Sequence, residues 1–394
     1  MTRGNMLPTV RTGLERLLAY PKQLAGKAIA LIANHTSVTC RLQYGWDALS
    51  SAGLEIARIF SPEHGLFGIE QDQVPAGTPR EMPFEIVSLY GTSAQSLAPM
   101  RAHLEGIDCV LFDIQDVGSR YYTYLNTMVL FLRELDGLGI PFYVLDRPNP
   151  LGGDTVEGPV LKKGFESFVG LLPVSVRHGL TAGEIARLAH RFFNLNVELN
   201  VIEMQGWRRW MRFEDTGLPW VPPSPNMPGT RTAAVYPGTC LFEGTNVSEG
   251  RGTTTPFECI GAPGVRPKEI ARAIEEMGIQ GVVCRPTFFR PTFGKYAGQE
   301  CGGVYLHVTD TSRFTPFRTG VALVAVFRKM MDGFAFSHDV YEFNTEVPAF
   351  DLLVGSSTVR EMILGDEPFD AVVDSWKKDE DLFSDMKEEF HIYG

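Results

Sequence analysis

Residues 108–145 read DCVLFDIQDVGSRYYTYLNTMVLFLRELDGLGIPFYVL, and their order decides the fold. Asp108–Ile114 is almost wholly apolar, as a strand buried on both faces must be. Tyr122–Leu138 then places apolar residues at helical spacing and stops at Gly139, and Pro141–Leu145 is a second apolar run. Near-continuous apolar strands alternating with helices predict a parallel sheet covered on both faces.

Upstream, Lys27–Ala33 (KAIALIA), Glu55–Phe60 (EIARIF) and Glu85–Tyr90 (EIVSLY) repeat the same texture; downstream, Val197–Met204 adds another strand. Thr181 and Glu184 form a capping box at the start of a helix in GLTAGEIARLAHRFFN. The predicted fold is therefore α/β: a Rossmann-like parallel sheet domain over residues 1–235, followed by a second, smaller α+β domain over 236–394 that closes the cleft. In that second part Lys268–Met277 and Phe317–Met331 read as helices, Gly302–Val308 as a strand, and the tail from Ser357 as mostly helical. Between Gly206 and Gly264 proline and glycine replace periodicity, the mark of a long functional loop. A chain of 394 residues calls for two packed cores.

With 36 basic and 47 acidic residues the net charge is −11, a field that repels polyanions and argues against a nucleic-acid partner. The 44% hydrophobic composition excludes global disorder. Six cysteines stand far apart with no CxxC pair, which reads as reduced structural thiols. The start, MTRGNMLPTVRTGLERLLAYPKQ, carries charge throughout and lacks an apolar h-region, and no run of about 18 apolar residues follows. The expectation is no intact signal peptide and no membrane span: cytoplasmic as the chain stands, secreted or periplasmic if a leader was removed.

Ligands of open parallel sheets collect beyond the carboxyl ends of the strands. Here those ends are polar: Asn34, His35 and Thr36; Glu63 and His64; Asp113, Gln115, Asp116 and Arg120, then Tyr122 and Tyr124; Asp146, Arg147 and Asn149. Singly, Asn34, Thr36 and Asn149 read as caps or loop hydrogen bonds; together, four polar strand ends describe one site. No GxGxxG follows a strand, and GxxxxGK[ST], GxSxG and HExxH are absent, so no cofactor is expected and esterase or zincin chemistry has no footing. The histidines show no ligand spacing, so no metal is expected; a metal-dependent hydrolase would have to rest on His64, His35 and nearby acids.

Abundant carboxylates and arginines suit acid-assisted cleavage of a polar, acid-bearing ligand. A glycosidic bond needs one carboxylic acid to protonate the departing oxygen and a second group to stabilise or attack the sugar carbon. Glu63 reads as the acid, because burial between an apolar strand and Gly65-Leu66-Phe67-Gly68 would hold its proton near neutral pH; the competing reading is a capping or arginine-paired structural carboxylate. Asp113, Asp116, Glu243 and Glu258 all stand for the second role. Arg120, Arg147 and Arg251 offer forks to a ligand carboxylate or brace acidic loops, and Tyr122 and Tyr124 offer a stacking face or core packing.

Five motifs together carry a resemblance: SPEHGLFG (61–68), FDIQDVGSRYYTY (112–124), LDRPNPLGG (145–153), PPSPNMP (222–228) and YPGTCLFEGTNVSEGRGTTTPFE (236–258). The chain closely resembles the NamZ-like exo-β-N-acetylmuramidases, glycoside hydrolase family 171. The resemblance implies release of single N-acetylmuramic acid units from the non-reducing ends of peptidoglycan fragments, in a cleft between a Rossmann-like domain and a smaller C-terminal one. It implies Glu63 as the catalytic carboxyl with His64 beside it, and it draws Asn226 and Asn246 of the loop motifs into the binding set. A lactyl carboxylate on the sugar suits an arginine-lined pocket, and its acetamido group permits a substrate-assisted route. The other reading is a non-catalytic muropeptide-binding protein of the same fold.

Overall fold

The computed structural model describes residues 9–71, 73–75, 77 and 82–394; residues 1–8 of the charged start lie outside them. The first half runs α1 (Gly13–Ala19), β1 (Ala28–Ala33), α2 (Gly45–Ser51), β2 (Glu55–Ser61), β3 (Glu85–Ser88), β4 (Cys109–Asp113), α3 (Thr123–Glu134), β5 (Phe142–Leu145), β6 (Glu157–Val160), β7 (Ser175–Arg177), α4 (Ala182–Phe192) and β8 (Leu199–Ile202). The second runs α5 (Thr230–Thr239), β9 (Cys259–Ala262), α6 (Pro267–Glu276), β10 (Val282–Phe289), β11 (Cys301–Val308), α7 (Pro316–Met330), α8 (Ala349–Val354), α9 (Thr358–Leu364) and α10 (Phe369–Lys387).

The main sheet has the order β3-β2-β1-β4-β5-β8, every neighbouring pair parallel. Strand alternation explains the apolar runs. Ile29, Leu31 and Ala33 of β1, with Cys109 and Leu111 of β4, fill the core on one face; Ala30, Ile32, Val110 and Phe112 fill the core on the other. Helix α4 opens with the capping box read from the sequence: the Thr181 hydroxyl accepts from the Glu184 amide, and the Glu184 carboxylate accepts from the Thr181 amide. The second half holds an antiparallel sheet in the order β10-β11-β9.

Three expectations change. Helix α3 ends at Glu134 rather than Leu138, because Gly137 and Gly139 take left-handed φ values of 71° and 69° and the Gly137 amide turns away to Asn196 O. The proline- and glycine-rich stretch contains α5 and β9. Its Gly238 is a packing device: a Cβ there would stand 1.9 Å from Pro316 O, and one on Gly320 would stand 2.2 Å from Gly238 O, so α5 and α7 cross at backbone contact. The division expected at residue 235 falls inside α5.

The largest core is not confined to one half of the chain. A single cluster runs from Ala30 and Phe112 under the main sheet through Val176 to Phe317, Phe350 and Trp376. The hairpin β6–β7 makes this continuity, since it carries the first half of the chain out to pack on α7 and α10.

Gly320→Ala separates helix propensity from packing. Propensity alone favours alanine by about 1 kcal/mol, whereas forcing a methyl into a closed crossing costs about 1–3 kcal/mol or more. The expected outcome is a lower urea midpoint; a higher one would mean that α5 and α7 part freely.

Candidate active site

The SPEHGLFG motif begins in the last residue of β2 and turns sharply. The Gly65 amide donates to Pro62 O at 3.0 Å, and His64 and Gly65 both adopt left-handed backbone, with φ of 67° and 78°. Such a conformation at a residue with a Cβ costs roughly 1–3 kcal/mol and persists only where surroundings over-determine it. Here the His64 ring nitrogen Nδ1 meets Glu70 O at 2.8 Å and the Glu70 amide returns to His64 O at 3.3 Å. The turn buries Glu63, 4% exposed, with Oε2 accepting from the Thr123 hydroxyl at 2.7 Å and Oε1 from the Gln73 amide at 3.3 Å. Thr123 is the first residue of α3, so two βα units converge on one carboxyl group.

The opposite wall comes from the second half. Tyr341 and Asn344 exchange backbone hydrogen bonds of 3.1 and 2.9 Å around Glu342 and Phe343, whose φ values are 47° and 64°. Two consecutive positive φ values define the turn geometry that favours Asn-Gly. Glu342 Oε2 accepts from the Tyr90 hydroxyl at 2.9 Å, and the Phe343 ring lies 5.6 Å from that of Tyr90. Burial, then the charges of Glu63 and Glu342, hold the Tyr90 proton far above the ordinary phenol range. Tyr341 donates to Glu243 Oε2 at 2.5 Å. Arg251 meets Glu243 at 2.9 Å and Glu249 at 3.2 Å, and Lys295 meets Glu249 at 3.0 Å. Burial opposes ionisation of Glu249, but Lys295 and Arg251 outweigh it and draw its carboxyl down to about 2.

These groups bound two adjoining spaces. An inner cavity of about 40 Å³ is lined by Glu63, His64, Tyr122, Asn226, Glu243, Arg251 and Glu342. Glu243, Arg251 and Tyr341 are shared with an outer chamber of about 560 Å³, walled by Gln71, Gln73, Asn246, Phe293, Lys295 and Phe336. The chamber is of the size ligand pockets take, about 300–1,000 Å³.

The structure thus brings Glu63, His64, Tyr122, Asn226, Glu243 and Arg251 to the inner cavity and Asn246 to the chamber wall. Asn226 donates to Gln71 Oε1 at 2.7 Å, and Asn246 is tied to Gly333 O and the Ala335 amide. The other candidates lie outside both linings, each committed to a structural partner. Asp113 and Arg147 form a buried two-pronged pair at 2.5 and 2.9 Å, with Ser37 donating to the same carboxylate. Arg120 gives Nη1 to Pro159 O and Val174 O and Nη2 to Leu353 O and Val354 O, all at 2.7–2.8 Å. Glu258 accepts from Thr232 and Tyr305. Gln115 donates to Asp116 O and Pro148 O, Asn149 bridges Leu180 O and the Leu151 amide, and Asn34 accepts from both the amide and the hydroxyl of Thr36. His35 contacts Pro222 O at 2.6 Å, and Tyr124 donates to Pro223 O at 2.5 Å, so both anchor the 222–228 loop.

Asp116 stands 3.8 Å from His178. Burial pushes the Asp116 carboxyl up to about 7, against the backbone amides of Gly118 and Val117, and pushes His178 down to about 3. Thr123, Gln71, Gln73, Tyr90, Lys295, Tyr341 and Glu342 were not singled out by sequence reasoning; Thr123 alone lies in a quoted motif, and the HDVYEFNTE segment carrying Glu342 has no periodicity or motif that could have flagged it. Among the described residues, no group of three or more His, Cys, Asp or Glu converges as a metal site, and no helix is long and apolar enough to cross a membrane.

A Rossmann-like half and an α+β half each place a buried glutamate, beside a residue of positive φ or at one, on a single shared cavity of a two-domain protein. Comparison with known proteins makes this specific. Two family profiles match consecutive stretches: exo-β-N-acetylmuramidase NamZ, N-terminal, over residues 29–231, and its C-terminal counterpart over 234–393. The chain is 40% identical to the peptidoglycan β-N-acetylmuramidase NamZ of Bacillus subtilis (strain 168), over 98% of this chain and 92% of that protein. It also superposes on two crystal structures of DUF1343 family proteins from Bacteroides fragilis, with TM-scores of 0.88 and 0.77, each 30% identical and covering 98% of this chain and 99% of theirs. The chain belongs to the NamZ exo-β-N-acetylmuramidase family.

The Asp116–His178 pair fixes a pH signature. Asp116, raised above its ordinary 3.8, binds a proton preferentially in the folded state, so its contribution to stability falls as pH climbs from about 4 towards 7. His178, lowered from 6.5, acts in the opposite sense, its contribution falling as pH drops through that value. Asp116→Asn removes the first effect and keeps the second. Urea unfolding between pH 4.5 and 7.5 should show the variant gaining stability relative to wild type as pH rises, by up to about 1.4 kcal/mol per unit; parallel profiles would contradict the assignment.

Proposed function

We propose that the chain is a glycoside hydrolase that removes single N-acetylmuramic acid units from the non-reducing ends of peptidoglycan fragments, with Glu63 as proton donor. The observation that carries this reading is the buried Glu63 carboxyl on a cavity walled by both halves of the chain. The name and whole-length similarity of the Bacillus relative support the same substrate.

The geometry suits the chemistry. Glu63 is held by the Thr123 hydroxyl and the Gln73 amide, so the carboxyl is fixed before a ligand enters, which is what proton transfer to a departing oxygen requires. Lys295, 30% exposed, and Arg251 face the chamber as the cations able to meet a lactyl carboxylate. Phe293 and Phe336 supply apolar surface for a sugar ring.

The test is release of N-acetylmuramic acid from a muramic acid–glucosamine disaccharide by wild type and Glu63→Gln. The amide keeps an acceptor for Thr123, so the fold should hold while kcat falls by about 10²–10⁴-fold. A folded variant with near-wild-type kcat would remove Glu63 from the role. Tight sugar binding by calorimetry, with no product from wild type, would favour a binding protein instead.

A further inference from the structure

Of the acids that sequence motifs point to as partners of Glu63, Asp113, Asp116 and Glu258 lie outside the inner cavity. Asp113 is saturated by Arg147 and Ser37, and Glu258 by Thr232 and Tyr305, both outside the cavity. Glu243 reaches the cavity wall, bound to Arg251 and Tyr341. Glu342 differs in its connection. It lines the same inner cavity as Glu63, is 7% exposed, and takes the hydroxyl hydrogen of Tyr90, a buried ring whose proton both glutamates hold in place.

The backbone makes an independent point. Glu342 and Phe343 occupy the two positive-φ positions of a tight turn that neither side chain favours. Phe343 is seated in a cluster with Tyr90, Leu97 and Phe168, which keeps the turn closed. Strain kept in place by packing is characteristic of positions that deliver a side chain to a working site, and the matching strained residue on the other wall is His64, next to Glu63.

We infer that Glu342 is the second catalytic carboxylate, the anion that faces the positive anomeric carbon while Glu63 serves the leaving oxygen. The inference rests on the glycosidase reading above. As the glycosidic C–O bond breaks, its electron pair departs with the aglycone oxygen, which takes the Glu63 proton. The anomeric carbon is left positive beside the Glu342 carboxylate. A water oxygen then bonds to that carbon, and the proton it loses restores Glu63, so one water is consumed and two hydroxyl groups are formed. Tyr90, through its hydrogen bond, is the positioning residue for Glu342.

The experiment compares Glu342→Ala, Glu342→Gln and Tyr90→Phe with wild type on the disaccharide, with thermal unfolding as a check on folding. Glu342→Ala and Glu342→Gln should lower kcat by about 10²-fold or more, with KM within about threefold. Added formate or azide, at about molar concentration, should raise the Glu342→Ala rate at least about tenfold by placing a small anion where the carboxylate stood; it should do nothing for Glu342→Gln, whose amide fills the space. Tyr90→Phe should fall between wild type and these variants. A merely structural glutamate would give a loss that no anion relieves, and that outcome, or a folded Glu342→Gln within about threefold of wild-type kcat, overturns the inference. If the alanine variant does not fold, the kcat of the isosteric glutamine variant decides. Wild type inert on muramides would overturn the glycosidase reading itself, which the Glu342 variants do not test.

Discussion

The buried guanidinium of Arg120 ties the two halves of the chain to each other, its partners among the described residues being backbone carbonyls. Arg120 is buried, and burial pushes its proton affinity down to about 10, still charged at neutral pH. In place of a counter-ion it has four carbonyl oxygens, two from the β6–β7 region and two, of Leu353 and Val354, from the last turn of α8. Helix C-termini present unsatisfied carbonyls and partial negative charge, so the fork binds the second half of the chain to the first at a fixed place. Glu63 belongs to one half and Glu342 to the other, and the hydrogen bond from Tyr90 to Glu342 crosses between the halves, so it depends on that registration.

The position of the cavity follows from what occupies the sheet's switch point. The strand order reverses between β1 and β4, where open α/β sheets commonly take their ligand. In this chain Ser37 and Arg147 both donate to Asp113 there. The candidate cavity stands instead at the end of β2 and the start of α3, where the second half of the chain supplies the facing wall.

The parallel sheet was legible because burial on both faces leaves a continuous apolar run, and five runs in series admit few other folds. Helix α5 was illegible because Pro237 and Gly238, ordinarily punctuation, are there for a crossing against Gly320 that no local pattern announces. Glu63 could be read because strand, turn and glycines lie within eight residues. For Arg120 and Arg147 the residue type was legible but the partner was not, since a guanidinium suits a ligand carboxylate, a protein carboxylate or a row of carbonyls equally well. Only the fold chooses among these. Glu342 sits 252 positions from Tyr90, a pairing beyond the reach of any spacing rule.

The two adjoining spaces differ in volume by more than a factor of ten, about 560 against 40 Å³. Tyr121, Tyr236 and Phe257 are among the side chains that line the narrow one. A terminal sugar, carrying chain on one side only, asks less room of so narrow a space than an interior one does.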